Sequence, residues 1–599
     1  MGAAYRARMQ SEHKLALLLG ALMLCALPES SHAEETKLFN LLDNGGFEEE
    51  VPGLKGKDGI VRIPWWKSSN GASMIQGEAG ARTLWTESGS WARQPIAAFE
   101  PLASEFVVRG KVEGSGSVTL IDGSGSRAKV DVAAGEFEIT AAQFVEALGK
   151  SLMPRFELVL QSEAKAQWDD IEAWVALPLP TPAELRAEIV TELDWIFSLW
   201  LEHCLDDVGP QKTSLACHLI DVVTGERLAT GAAGLHPLTT LMREASVVED
   251  NAVWRGAVDR NLSDLLERCL HPVTGLPRSW DVERDLGRDG PVEIHLMLEF
   301  LIDVVREGPI NHRTRSLEAA ILMGRNVLAQ GVLPDGNVAA SYYPETGKPN
   351  TEVSVLRRLD VPAQLARLGA ITEKHQMARA AREACVTLDF TNFWPGTWDS
   401  IDPGWDDNYG HYGRRATDMW MAYPEDQVFR GLSYDGALHY HKMWRNALRL
   451  GGNVAADQVR CWLTLVDIAQ VAPETKGEIR DLLGLAARSH FKGEQYGNGA
   501  WGDVTIFNFD PKGNLNVGDL PGTPRNLLHG LAGIYRDDLN LRSDELRAMF
   551  TAVLRSSRTH YRREFGYLTT RAALAGQNWG GGEIRLAVGL VEMLKQLSN

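Results

Sequence analysis

The chain changes its hydrophobic period once, at the Pro-rich bridge Leu177-Pro-Leu-Pro-Thr-Pro182. Before the bridge, short runs alternate apolar and polar residues: Glu105-Phe-Val-Val-Arg109, Ser117-Val-Thr-Leu-Ile121, Lys129-Val-Asp-Val132 and Arg155-Phe-Glu-Leu-Val-Leu160. Gly/Ser turns separate them, as in Gly114-Ser-Gly-Ser117 and Asp122-Gly-Ser-Gly-Ser126. Period-two runs between such turns predict an antiparallel sandwich over residues 34–178. After the bridge, apolar residues recur at helical spacing. Val292, Leu296, Leu298, Phe300, Leu301, Val304 and Val305 fit one buried helix, and Leu317 to Leu328 fit the next. Segments 457–470 and 543–555 behave likewise, and Glu583 to Leu597 predicts a terminal helix. A Pro-rich bridge is extended and semi-rigid, so it divides a β part from an α part, residues 179–599.

Composition narrows the function classes. With 599 residues, 44% hydrophobic and 23% charged, the chain has the balance of a globular protein. A net charge of -18 argues against a non-specific nucleic-acid binder. The first 33 residues read as a secretory signal. Arg6, Arg8 and Lys14 precede the apolar run Leu15–Leu27, and small residues stand at Ser31 and Ala33. Cleavage after Ala33 predicts a secreted or periplasmic protein with no integral membrane segment left. Cys204, Cys217, Cys269, Cys385 and Cys461 are widely spaced, which predicts buried thiols with at most a bridge such as Cys204–Cys217. No CxxC or HExxH occurs, so no metal site is expected.

Two segments sharpen the β part: Asn40-Leu-Leu-Asp-Asn-Gly-Gly-Phe-Glu48 at its start and Trp168-Asp-Asp-Ile-Glu-Ala-Trp174 at its end. Together they resemble the galactose-binding-like jelly-roll modules found beside carbohydrate-active domains. The resemblance implies that the first motif opens the first strand and the second belongs to the last. Trp65, Trp66, Trp85 and Trp91 are either a sugar-stacking platform or core. No cofactor is expected, although a structural calcium in the sandwich is compatible with the resemblance.

In the α part, loops rich in Gly, Trp, Tyr and Asp interrupt the helices at His271–Asp285, Gly331–Gly347, Asn392–Arg415, Phe491–Asn516 and Glu564–Gly582. Long aromatic loops alternating with short returns suggest antiparallel helix pairs in a ring, with the long loops on one face. This pattern resembles the (α/α)6 toroids of glycoside hydrolases and polysaccharide lyases. The implied partner is a glycan; the oligomeric state is not fixed by the sequence.

The densest segment runs from Trp394 to Arg415. Its glycines and prolines predict a loop, and its aromatic content predicts an ordered one. Glycoside hydrolysis needs two carboxyl groups. Asp406 and Asp407 are adjacent, so at most one is expected to be catalytic; its partner would be Asp281, Glu283 or Glu345. A uronate lyase would instead use Tyr409 and His411 for proton transfer, with Asn408, Tyr412, Arg414 and Arg415 as partners for substrate. Trp280, Trp398, Trp405, Tyr343, Trp501 and Trp579 are expected to line an aromatic cleft. Asp435, His439 and Met443 share a helix face, as an Asp–His pair within the bundle or part of a metal site. Hydrolysis is the leading reading, elimination the alternative, and a non-catalytic glycan-binding scaffold the third.

Overall fold

The computed structural model describes residues 35–598 apart from 43–44, 48–65, 70, 77–81, 98–105, 123–124, 150–155, 217, 231, 289, 351–358, 387–406, 435–458, 492–524 and 568–580. Lys37–Asn599 form one compact unit. The proposed signal and its cleavage site lie outside the described residues.

The β part is built from β1 (Thr36–Asn40), β2 (Lys67–Ser68), β3 (Ala72–Gln76), β4 (Arg82–Thr86), β5 (Trp91–Ala97), β6 (Val107–Glu113), β7 (Gly116–Ile121), β8 (Arg127–Val132), β9 (Gly135–Thr140), β10 (Phe156–Ser162) and β11 (Ala166–Pro178), with one short helix, α1 (Ala141–Leu148). One sheet runs β3-β4-β11-β6-β9, with β1 also on β11; the other runs β2-β5-β10-β7-β8. The alternation seen in the sequence is the burial pattern: along β6, Val108, Gly110 and Val112 are buried while Arg109, Lys111 and Glu113 are exposed. The two sheets meet at Trp168. Its indole N–H donates to Thr86 Oγ1 in its own sheet (2.9 Å) and to Ser162 Oγ in the other (3.3 Å). Gly116 of the second sheet lies so close to this ring that a Cβ would stand 2.5 Å from it.

The opening and closing motifs touch. Asn40 Oδ1 accepts the N–H groups of Leu42 and Ala173. Gly45 presses on the Ile171 carbonyl at a distance no Cβ would tolerate, and its own carbonyl accepts the Ile171 N–H. Trp66 is fully buried against Phe47, so it belongs to the core. Trp85 and Trp91 are half-buried, each beneath a cation, Lys165 and Arg93.

The α part comprises α2 (Pro182–His203), α3 (Pro237–Val248), α4 (Ala252–Arg268), α5 (His295–Glu307), α6 (Ile310–Asn326), α7 (Asp360–Thr372), α8 (His375–Val386), α9 (Asp407–Ala422), α10 (Val459–Val471), α11 (Lys476–Phe491), α12 (Arg525–Ile534), α13 (Asp544–Tyr561) and α14 (Gly581–Ser598). Residues 427–434 are also helical. A capping box starts α2 directly after the bridge: Thr181 accepts the Glu184 N–H, and Glu184 accepts the Thr181 N–H. At α4 and α13 a single side-chain oxygen caps the helix: Asn251 accepts the Val253 and Trp254 N–H groups, and Ser543 accepts that of Leu546.

Helix contacts trace a closed circuit. α5 packs on α7, α7 on α9, α9 on α10, α10 on α12, α12 on α14, and α14 on α3. Arg243 of α3 faces Asp303 and Glu307 of α5, which completes it. The intervening helices α2, α4, α6, α8, α11 and α13 form an outer layer. Among the described residues seven helices follow one another around the inner layer, one more than the six-hairpin expectation. Counting the helical stretch 427–434 as outer, each long interval between described helices falls between an outer helix and the start of the next inner one, and the inner-to-outer returns are short.

Two expectations need correction. Val292 lies in a two-residue strand, and the first buried helix begins at His295. The segment expected to be a loop to Arg415 is helical from Asp407. Gly410 and Gly413 sit inside that helix. Each costs only about 1 kcal/mol against Ala, and packing against α7 and α10 outweighs it.

The ring closes where the first outer helix meets the last. Glu192 of α2 is 1% exposed and accepts Arg558 Nε at 2.6 Å, Arg562 Nη1 at 3.0 Å and the Tyr567 hydroxyl at 2.8 Å. Glu188, one turn earlier, pairs with Arg555 and Arg558. The sheets dock nearby: Arg488 donates to the Asn40 carbonyl and lies over Phe39, whose ring meets Phe491 edge-on. Glu192→Ala removes the acceptor of three donors. It should cost about 3 kcal/mol, the low end for breaking a buried pair, because both arginines can turn towards water. Urea unfolding checks this; Glu192→Gln, which keeps an acceptor for Tyr567, should lose less.

Candidate active site

The inner helices turn polar stripes into the ring. On α5 the stripe is His295, Glu299, Asp303 and Glu307, each four residues after the last, while Leu298, Leu301 and Ile302 are buried. Residues at i and i+4 share a helix face. On α7 it is Asp360, Gln364 and Arg367; on α9 it includes Arg415 and Asp418. The stripes interlock at Arg415. Its Nη1 and Nη2 grip Glu299 at 3.2 and 3.0 Å, Nε donates to Asp360 at 3.1 Å, and Nη1 also reaches Asp418 at 3.2 Å. His295 Nε2 stands 3.6 Å from the other Asp360 oxygen. Deeper along the ring, Arg367 donates to Asp303 at 2.6 Å.

The electrostatics follow from these neighbours. Burial opposes ionisation of Glu299, but Arg415, with Arg414 and Arg367 further off, holds its carboxyl below the usual range. Burial pushes Asp303 up against the pull of Arg367 and Arg243. Burial pushes Asp467 of α10 up to about 7, partly countered by Arg414. Arg414 itself is exposed although Glu299 and Asp467 both sense its charge, so solvent reaches this part of the ring.

Asp360 begins α7, and Arg415 lies two turns into α9. The network therefore sits towards the end where the long connections enter. The first two turns of α9 carry Asp407, Asn408, Tyr409, His411 and Tyr412 on that side of Arg415. The connections also hold one another. Residues 292–293 pair with 341–342, which pair with 349–350, and Thr274 donates to the Pro344 carbonyl. His236 caps α3 through Nδ1 and stacks on Trp200; burial lowers its pKa to about 4, so it is neutral.

The expected site residues divide. Asp281 is buried; its Oδ1 accepts the Glu283 and Arg284 N–H groups and its Oδ2 takes Arg288. Burial opposes ionisation, yet the Arg284 N–H and Arg288 hold its pKa below the ordinary value. The carboxylate shapes a turn rather than lining a cleft. Trp280 is also buried, between Arg268 and Arg278, because its strand pairs on both sides with 232–233 and 286–287. Glu283 and Glu345 are exposed, as is Tyr343 in the hairpin that carries Glu345. Arg415, expected to meet substrate, is instead committed to three carboxylates. Asp406, Trp398, Trp405, Trp501 and Trp579 lie outside the described residues, as do Asp435, His439 and Met443. His295, Glu299, Asp303, Asp360 and Arg367 escaped the sequence reading. Their signal was four-residue polar spacing within apolar helices.

Among the described residues no group of three His, Cys, Asp or Glu side chains could hold a metal ion. Cys269 and Cys385 are buried, and burial pushes the Cys269 thiol up to about 12.

No protein-family model and no curated protein matches the sequence. Solved structures do resemble the fold distantly. An α-1,2-mannosidase from Trichoderma reesei has a TM-score of 0.44 at 10% identity, covering 69% of this chain and 93% of that one. A D-mannose isomerase has a TM-score of 0.41 at 10% identity, covering 68% and 97%. A family 76 glycoside hydrolase from a bovine Bacteroides thetaiotaomicron strain has a TM-score of 0.36 at 10% identity, covering 78% and 96%. No residue correspondence follows at this distance.

The raised Asp467 makes a pH prediction. The folded state holds its proton more tightly than the unfolded chain, whose carboxyl titrates near 3.8. Stability from this residue is full below that value and is lost as pH rises towards about 7. Asp467→Asn should match the parent at pH 4 and be more stable at pH 8, read as unfolding midpoints at the two pH values.

Proposed function

We propose that the chain is a secreted, glycan-degrading enzyme whose reaction takes place where the long connections enter the ring. The supporting observation is Glu299: a carboxylate kept ionised by Arg415 inside a solvent-reached ring, beside His295 and Asp360. A core built only for stability would be apolar here, since a buried ion network seldom outperforms hydrocarbon packing.

Hydrolysis suits this arrangement better than elimination. Glu299 is the ionised group, acting on water or on the anomeric carbon. The proton donor to the leaving oxygen is assigned to Asp407, or its neighbour Asp406, at the head of α9. A separation of roughly 5–5.5 Å between the two carboxyls gives retention and roughly 6.5–9.5 Å gives inversion. Elimination from a uronate needs a cation for the substrate carboxylate; Arg415 is already occupied by Glu299, Asp360 and Asp418, which leaves that role to the exposed Arg414 alone. In the hydrolytic reading Arg414 orients a substrate hydroxyl instead. The tryptophan-rich connections serve as stacking surfaces, and the sheet region serves as a galactose-binding-like accessory module. The basic and apolar segments before Ala33 direct export.

A polysaccharide and oligosaccharide panel, read by reducing ends and by absorbance at 235 nm, tests this. New reducing ends without absorbance are expected, and an unsaturated product would overturn hydrolysis. Glu299→Gln and Asp407→Asn should each lower kcat by roughly 10²-fold or more with the far-UV spectrum retained.

A further inference from the structure

We propose that the face of the ring opposite the long connections carries a second binding site, for an organic carboxylate with a short apolar body. A cavity of about 520 Å³ opens between α3, α4 and the α5–α6 turn. Val247, Val258, Gly308 and Pro309 give it a largely apolar wall. Val247 is exposed at its rim, and Val253 and Ile310, close by in sequence, are exposed too. The volume suits a small molecule rather than a single ion.

Arg243 supplies the reason for a charged head. It lines the cavity with its side chain only 3% exposed. Its Nε and Nη1 are buried without a hydrogen-bond partner in the protein. The acids around it stand off: Glu244 and Glu307 at 3.6 Å and Asp303 at 3.9 Å, all beyond hydrogen-bond reach. Two of these already have nearer cations. Lys595 holds Glu244 at 2.6 Å, and Arg367 holds Asp303 at 2.6 Å. Glu307 is the exception, and its side chain is 56% exposed. A buried guanidinium with unmade bonds is costly. Once Glu307, which stands in front of Nη1, swings into water, an entering carboxylate takes its place beside the guanidinium and satisfies those donors, while its hydrocarbon covers the apolar wall. Phosphate fits less well, because Glu307 and Asp259 offset the charges of Arg243 and Arg255 in the lining, Arg255 is already paired with Asp250, and the wall offers a dianion nothing.

Calorimetric titration of the whole protein with octanoate, 1-octanol and inorganic phosphate tests the site. Octanoate should bind once per chain, at least tenfold more tightly than octanol, with no phosphate binding. Arg243→Gln should weaken octanoate at least tenfold, and Glu307→Gln should tighten it by removing the competing carboxylate. Val247→Trp, at the exposed rim, should block the cavity without touching the guanidinium and covers the case in which Arg243→Gln fails to fold. The proposal is overturned if octanoate does not bind, if octanol or phosphate binds as well, or if octanoate binding survives Val247→Trp. Glycan turnover should be unchanged in Val247→Trp, whose side chain lies at the rim of the other face.

Discussion

The carboxylate of Glu192 ties together chain segments that lie 366 to 375 residues apart. In a ring of helices each helix pair packs on its neighbours, and the first must find the last. Bringing such distant segments together costs about 5 kcal/mol in chain entropy before any constant is added. The structure meets that cost with buried, charge-assisted bonds at one point rather than hydrophobic area alone. Arg562 lies over the Trp195 ring at 3.8 Å, and Trp195 meets Tyr567 edge-on, so the ion pairs are roofed by aromatic surface. Burial and the neighbouring Glu192 both push the Tyr567 hydroxyl's pKa upward, which keeps it a donor.

A closed inner layer also has a consequence for its axis. Seven helices around a circuit leave a middle that side chains must fill or water must enter. The chain places salt-bridged acids and arginines there, arranged as four-residue stripes. Among the described residues Glu299, Asp303, Asp360 and Asp418 each pair with an arginine, and Arg415 alone serves three of them. Such a network fixes rotamers and holds Glu299 ionised, the state that its proposed role as base or nucleophile requires.

The broad organisation was legible because period is a strong signal. Alternation from Glu105 to Leu160 became β6, β7, β8 and β10, and the motifs at Asn40 and Trp168 did meet. The beginning of α9 was not legible. Gly410 and Gly413 argue locally for a loop, and only the packing of α7 and α10 overrides them. Trp280 and Asp281 looked functional by composition, yet a three-stranded ribbon buries both. The axial acids were hidden for the opposite reason. In sequence, Glu299 and Asp303 look like a solvated helix face; only ring closure shows that their face points inwards.

Under the proposed function the reacting sugar sits above Arg415, between the first turns of α5, α7 and α9. A crystal structure with the oligosaccharide identified by activity screening measures this directly. Sugar density in contact with Glu299, on the side where the long connections enter, is the predicted result. Sugar seated only on the sheets or on the short-turn face, with Glu299 untouched, would contradict it.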